Sequence, residues 1–220
     1  MNRGPFIFLG VFIILSLSWA MVINRSIQET GHLSPAFDAE QGGRLPSGVN
    51  GAAAQGKLVY QEMGCIACHT QQVRVASGFD LQRGWGERQS VARDYIDQSP
   101  VLIGNTRLGP DLTNVGLRKV DTQWHLLHLY NPQITSKGSN MPGFPFLFET
   151  RKIVGEATSR ALTLPDEYAV KGGYEVVPTR KAEALAGYMV SLKVSYDLEE
   201  APKSNDVMSE ELTLALKNAK

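Results

Sequence analysis

Only two cysteines occur in the 220 residues, and they stand close together, at Cys65 and Cys68. A small secreted scaffold held by disulfides needs several pairs, so that class is excluded and the pair reads as chemical rather than structural. Charge of a dominant sign is also missing, since Lys+Arg and Asp+Glu are both 22. Without a basic excess, nothing draws the chain to nucleic acid. No internal repeat or low-complexity tract appears, which removes solenoids and arrays. A chain of this length buries one ordinary core with segments to spare.

Long apolar runs are scarce too, with one exception. Phe6–Ile23 reads FIFLGVFIILSLSWAMVI, uncharged and flanked by Arg3 and Arg25. As a helix this run spans roughly 27 Å, close to the ~30 Å hydrocarbon core of a bilayer. A signal peptide cut after Ser18-Trp19-Ala20 is the competing reading. The run continues beyond Ala20, which favours an uncleaved anchor over residues 1–24. One arginine on each flank leaves the positive-inside rule undecided.

The remaining chain reads as mainly α. Gly31–Gln55 is rich in Gly, Pro, Ser and Ala and has no apolar period, so 25–55 is expected to be a flexible linker before a soluble domain over 56–196. A short helix is expected over Gly56–Met63, where Leu58, Val59 and Met63 recur at helical spacing. Long loops should fill Thr70–Pro110, with one helical turn near Ser90–Ile96. A second helix is capped by Asp121 or Thr122, runs through WHLLHLY and stops at Asn131-Pro132. SNMPGFPFLF, Ser139–Phe148, reads as an extended loop against apolar surface. Ala182–Leu192 places Leu185, Tyr188, Met189 and Leu192 on one helical face. A polar tail over 197–220 closes the chain, with EELTLALKNAK as a frayed helix.

The chemistry concentrates in GCIACHTQQ, Gly64–Gln72. Cys65, Cys68 and His69 fit the C-x-x-C-H pattern that tethers a haem by two thioethers and sets an imidazole over its iron. A thioredoxin-like dithiol needs a βαβ context that the flanks lack. A zinc site would have to recruit His69, His125, His128 and His32, because no other cysteine exists. Covalent haem is the favoured reading. It places the domain outside the cytoplasm and the N-terminus inside.

A second axial ligand is needed if the iron is to carry electrons only. Met63, Met141, Met189, His125 and His128 are the candidates, and Met141 stands out because Asn140-Met141-Pro142 holds a thioether on a stiff loop. A thioether ligand raises the potential relative to bis-imidazole ligation. The carbonyl of Pro110, in Gly109-Pro110-Asp111-Leu112, can accept from His69 Nδ1–H and fix the tautomer. Arg74 and Arg107 either meet haem propionates or face solvent. His125 and His128, three apart on one face, suit a metal or, more simply, packing and hydrogen bonding.

The segments GCIACHTQQVR, RQSVARDY, RLGPDL, WHLLHLYNP and SNMPGFPFL together resemble the mono-haem cytochrome c subunit of C-family (cbb-type) haem-copper oxidases. The likeness covers Gly56 to Leu147 and the closing helix AEALAGYMVSL. It implies a cytochrome c-like domain with one haem c, held by Cys65, Cys68, His69 and Met141, on a single-pass anchor in the bacterial inner membrane, with the domain in the periplasm. It also implies a non-catalytic role, relaying electrons to a polytopic catalytic subunit, with a further cytochrome c as donor. By the same resemblance Ser90 would lie near a calcium at the subunit interface. The small subunit of nitric oxide reductase is the alternative assignment.

Overall fold

The computed structural model describes residues 3–38, 42–74, 79–194 and 196–203. The frayed helix expected at EELTLALKNAK lies outside the described residues. Two compact units divide the chain: Met1–Pro46 with Val91–Asp97, and Ser47–Ser90 with Gln98–Lys220.

In the first unit, helix α1 (Gly4–Thr30) carries the apolar run. A proline in its first turn suits a position whose N–H would be unpaired in any case. None of its residues is buried, so apolar side chains face outward on every side. At ~40 Å it is long and apolar enough to cross a membrane. Its last turns are polar, with Arg25 bonded to Glu29. Strands β1 (Ala36–Asp38) and β2 (Gly43–Leu45) then pair antiparallel. Arg44 bonds Asp97 at 2.5 Å, and Arg93 donates to the Ser34 carbonyl, so the turn Ala92–Tyr95 is fastened to the hairpin.

In the second unit, α2 (Gly51–Glu62), α3 (Phe79–Gln82), α4 (Val115–Arg118), α5 (Thr122–Tyr130), α6 (Pro132–Thr135), β3 (Phe148–Lys152), β4 (Tyr174–Pro178) and α7 (Arg180–Ser191) follow in chain order. The helix α2 begins at Gly51, ahead of the expected Gly56, because Ala52–Ala54 are strong helix formers without a periodic signal. It crosses α7 at Gly56, where a Cβ would come within 1.9 Å of the Ala184 carbonyl oxygen. Only a hydrogen fits there, and that contact selects the buried face: Gly56, Val59 and Tyr60 turn inward while Leu58 is exposed. Tyr60 meets Tyr188 edge to face at 5.6 Å.

On α7, Leu185, Tyr188 and Met189 are buried, as its apolar spacing requires. Thr179 caps this helix by accepting from Ala182 N–H, and donates its own hydroxyl to the Leu147 carbonyl. Helix α5 opens with the Asp121 carboxylate accepting from Gln123 N–H and stops at Asn131, whose side chain accepts from Gln133 N–H to start α6. Leu126 and Leu129 join the core, as do Leu147 and Phe148 at the end of SNMPGFPFLF. The strands β3 and β4, absent from the sequence reading, pair antiparallel from Phe148 opposite Pro178 to Lys152 opposite Tyr174. The architecture is otherwise mainly helical.

Candidate functional site

Helix α2 delivers the motif. Gly64 adopts a left-handed φ of +70°, which glycine takes without steric cost, and so turns the chain into a single 3₁₀ turn over Cys65–Ala67. His69 N–H donates to the Cys65 carbonyl at 3.0 Å. Both thiols are free and half-buried. Burial pushes the Cys65 thiol up to about 11, with the neighbouring Cys68 adding to the rise. An attacking thiol of a redox pair is held in the opposite sense, so these surroundings do not activate Cys65 for that role.

The loop 103–112 wraps the motif. Gln71 N–H donates to the Ile103 carbonyl at 2.8 Å, Gly109 N–H to Cys68 at 3.1 Å and Leu112 N–H to Thr70 at 2.8 Å, while Thr106 donates its hydroxyl to Ala67. At the centre, His69 Nδ1 lies 2.8 Å from the Pro110 carbonyl oxygen. A carbonyl only accepts, so Nδ1 carries a proton, and in the neutral ring Nε2 is the nitrogen with a lone pair to coordinate. Gly109 makes this approach possible: a Cβ there would sit 2.3 Å from His69 Cε1. The imidazole is held and aimed, with its coordinating nitrogen left available.

Behind the imidazole lies a charge network that sequence reasoning missed. Asp80 and Asp111 are fully buried. Arg107 bonds Asp80 through both terminal nitrogens, at 2.7 and 2.9 Å, and also donates to Thr70 Oγ1 at 2.8 Å and the Gln72 carbonyl at 2.6 Å. Asp111 accepts from Thr70 Oγ1 at 2.6 Å, Gln72 N–H at 2.8 Å and Thr113 N–H at 2.9 Å. Burial alone would raise the Asp80 carboxyl, but hydrogen bonds from Arg107 and Arg74 N–H, with the Arg107 charge, hold it below its usual value. The Arg107 guanidinium is therefore committed to Asp80 rather than free for a propionate. The Arg74 side chain is exposed. Asp111 lay in plain view in RLGPDL, whereas Asp80 has no local signature.

Met141 is half-buried and packs on the core together with Met63, Cys65 and Ile66. Its loop is pinned to the end of α5, where Phe144 N–H donates to the Leu129 carbonyl at 2.7 Å. His125 Nε2 lies 2.8 Å from the Lys119 carbonyl, and His128 Nδ1 lies 2.6 Å from Thr135 Oγ1 with its ring stacked on Trp124 at 4.8 Å. Burial lowers both histidines, His128 to about 4. These partners give both side chains packing and hydrogen-bonding roles. Ser90 bridges locally, its Oγ accepting from Val73 N–H at 2.9 Å. Among the described residues no group of three or more His, Cys, Asp or Glu is gathered to hold a metal ion, so the calcium assigned near Ser90 gains no support.

A family model described as cytochrome c oxidase, mono-heme subunit/FixO, matches residues 21–213. No curated protein matches the chain.

Proposed function

The chain belongs to the cytochrome c oxidase mono-heme subunit/FixO family, and on that premise we propose that it is the membrane-anchored c-type cytochrome relaying electrons to the catalytic subunit of a cbb-type oxidase. The observation that carries the reading is the His69–Pro110 contact. It leaves Nε2 as a directed ligand beside two free thiols at the thioether spacing. The donor set suits haem, and Gly109 keeps the space that the imidazole needs. Cys65 and Cys68 would hold the group, His69 would be the proximal ligand and Met141 the distal one. Bound there, haem supplies a one-electron couple.

Each side chain then has a task. Pro110 holds the proton on Nδ1 and makes Nε2 more basic. Met141 would complete the ligand set with a thioether, which raises the potential, and the subunit would then conduct electrons without binding oxygen. Exposed Arg74 would meet a haem propionate or face solvent. The domain would face the periplasm from the bacterial inner membrane, with α1 as the anchor, a polytopic oxygen-reducing subunit as electron acceptor and another cytochrome c as donor.

Purification of the tagged full chain from detergent-solubilised membranes, followed by an oxygen-uptake assay, tests this. A copper-containing polytopic chain should co-purify and consume oxygen with a reduced cytochrome c donor. Co-purification with a partner that reduces nitric oxide instead would contradict it.

A further inference from the structure

The loop that carries Pro110 is tied to the motif on both sides. Gly109 N–H bonds Cys68 and Leu112 N–H bonds Thr70, so the neighbours of His69 hold the neighbours of Pro110. Two charges 3.6 Å apart close this register on the same residues: Asp111 gathers Thr70 and Gln72, and Arg107 gathers Thr70, Gln72 and Asp80. The Arg107 side chain is 17% exposed and that of Asp80 is 2% exposed. The guanidinium also lies 5.3 Å from the centre of the Trp85 ring.

A buried ion pair is a poor source of net stability, because desolvation offsets much of the attraction. A planar bidentate fork does supply fixed geometry, and lysine cannot reproduce it. We propose that Asp80 and Arg107 are positioning residues for the proximal histidine: their pairing sets the register of 107–112 against 68–72 and thereby holds the Pro110 carbonyl on His69 Nδ1–H. This inference rests on the haem reading of His69. Hydrogen bonding at Nδ1 makes Nε2 a stronger donor and favours ferric iron. Loosening the pair therefore favours ferrous iron and raises the potential.

The test is Arg107→Lys in the full-length, haem-loaded chain, because it keeps the charge and removes the fork. Redox titration should show a higher midpoint potential. Proton NMR should show solvent exchange of the His69 Nδ1–H accelerated about tenfold or more, the loss expected when a hydrogen bond to a buried ring is weakened. Asp80→Asn, which keeps the shape and removes the charge that the Arg107 fork grips, should move both readouts the same way and serves if the lysine variant fails to mature. Val176→Ala, a cavity in β4, is the control: it should lower the melting temperature while both readouts stay put.

Wild-type potential and exchange in the Arg107 or Asp80 variant, with only a lowered melting temperature, would overturn the proposal. Equal shifts in Val176→Ala would overturn it as well. Failure of the haem reading itself looks different: the wild-type chain would then carry no c-type haem.

Discussion

A methyl group at position 109 would sit 2.3 Å from Cε1 of His69, so Gly109→Ala must displace either the imidazole or the loop that carries Pro110. The variant should bind haem with a weakened proximal ligand, read as high-spin character in the optical spectrum. An unchanged low-spin spectrum would contradict the cradle. On the other axial side, Met141→Ala should lower the potential and open a coordination position to added ligands such as cyanide. A third test concerns protons. His128 titrates near 4 in the folded chain because burial, with His125, His69 and Lys119 nearby, disfavours its charge, and His125 is lowered by burial despite Asp121 and the Lys119 carbonyl. In the unfolded chain both titrate near ~6.5. The unfolded state then binds more protons between those values, so stability is complete above about 6.5 and falls as pH drops toward about 4. His128→Gln should flatten the melting temperature against pH over that range and leave the haem spectrum intact.

The crossing of α2 and α7 sets the platform from which the motif emerges. Gly56→Ala would drive a methyl group into the Ala184 carbonyl and Tyr188 Cβ. Overpacking of this kind should destabilise by about 3 kcal/mol, checked by thermal unfolding. Such helix contacts were half legible. The apolar spacing of α7 and the Asp121 and Pro132 signals around α5 are local, and they survive folding unchanged. In α2 the spacing allowed two faces, and a glycine contact made across the chain decided between them. The β3–β4 pair escaped because FETRK is mostly exposed and its partner YEVVP lies beyond a long connection, so neither strand shows a clean alternation. At the site, the His69–Pro110 contact was readable because motif spacing and backbone chemistry suffice. Asp80 was not, since a buried carboxylate is defined by the arginine that folding brings to it.

At the scale of the whole molecule, α1 presents apolar side chains on all sides and the second unit encloses its own core. The full chain should remain in the membrane pellet after an alkaline carbonate wash, and release into the supernatant would contradict an anchor of this kind. Every role proposed for Pro110, Met141 and Arg107 depends on what the thiols and His69 hold. A pyridine haemochrome spectrum of the purified chain measures that directly. The reduced sample should show a c-type α-band at one haem per chain, retained after acid-acetone extraction and lost as covalent haem in the Cys65→Ala, Cys68→Ala double variant. Absence of the α-band from the mature wild-type chain would contradict the central claim.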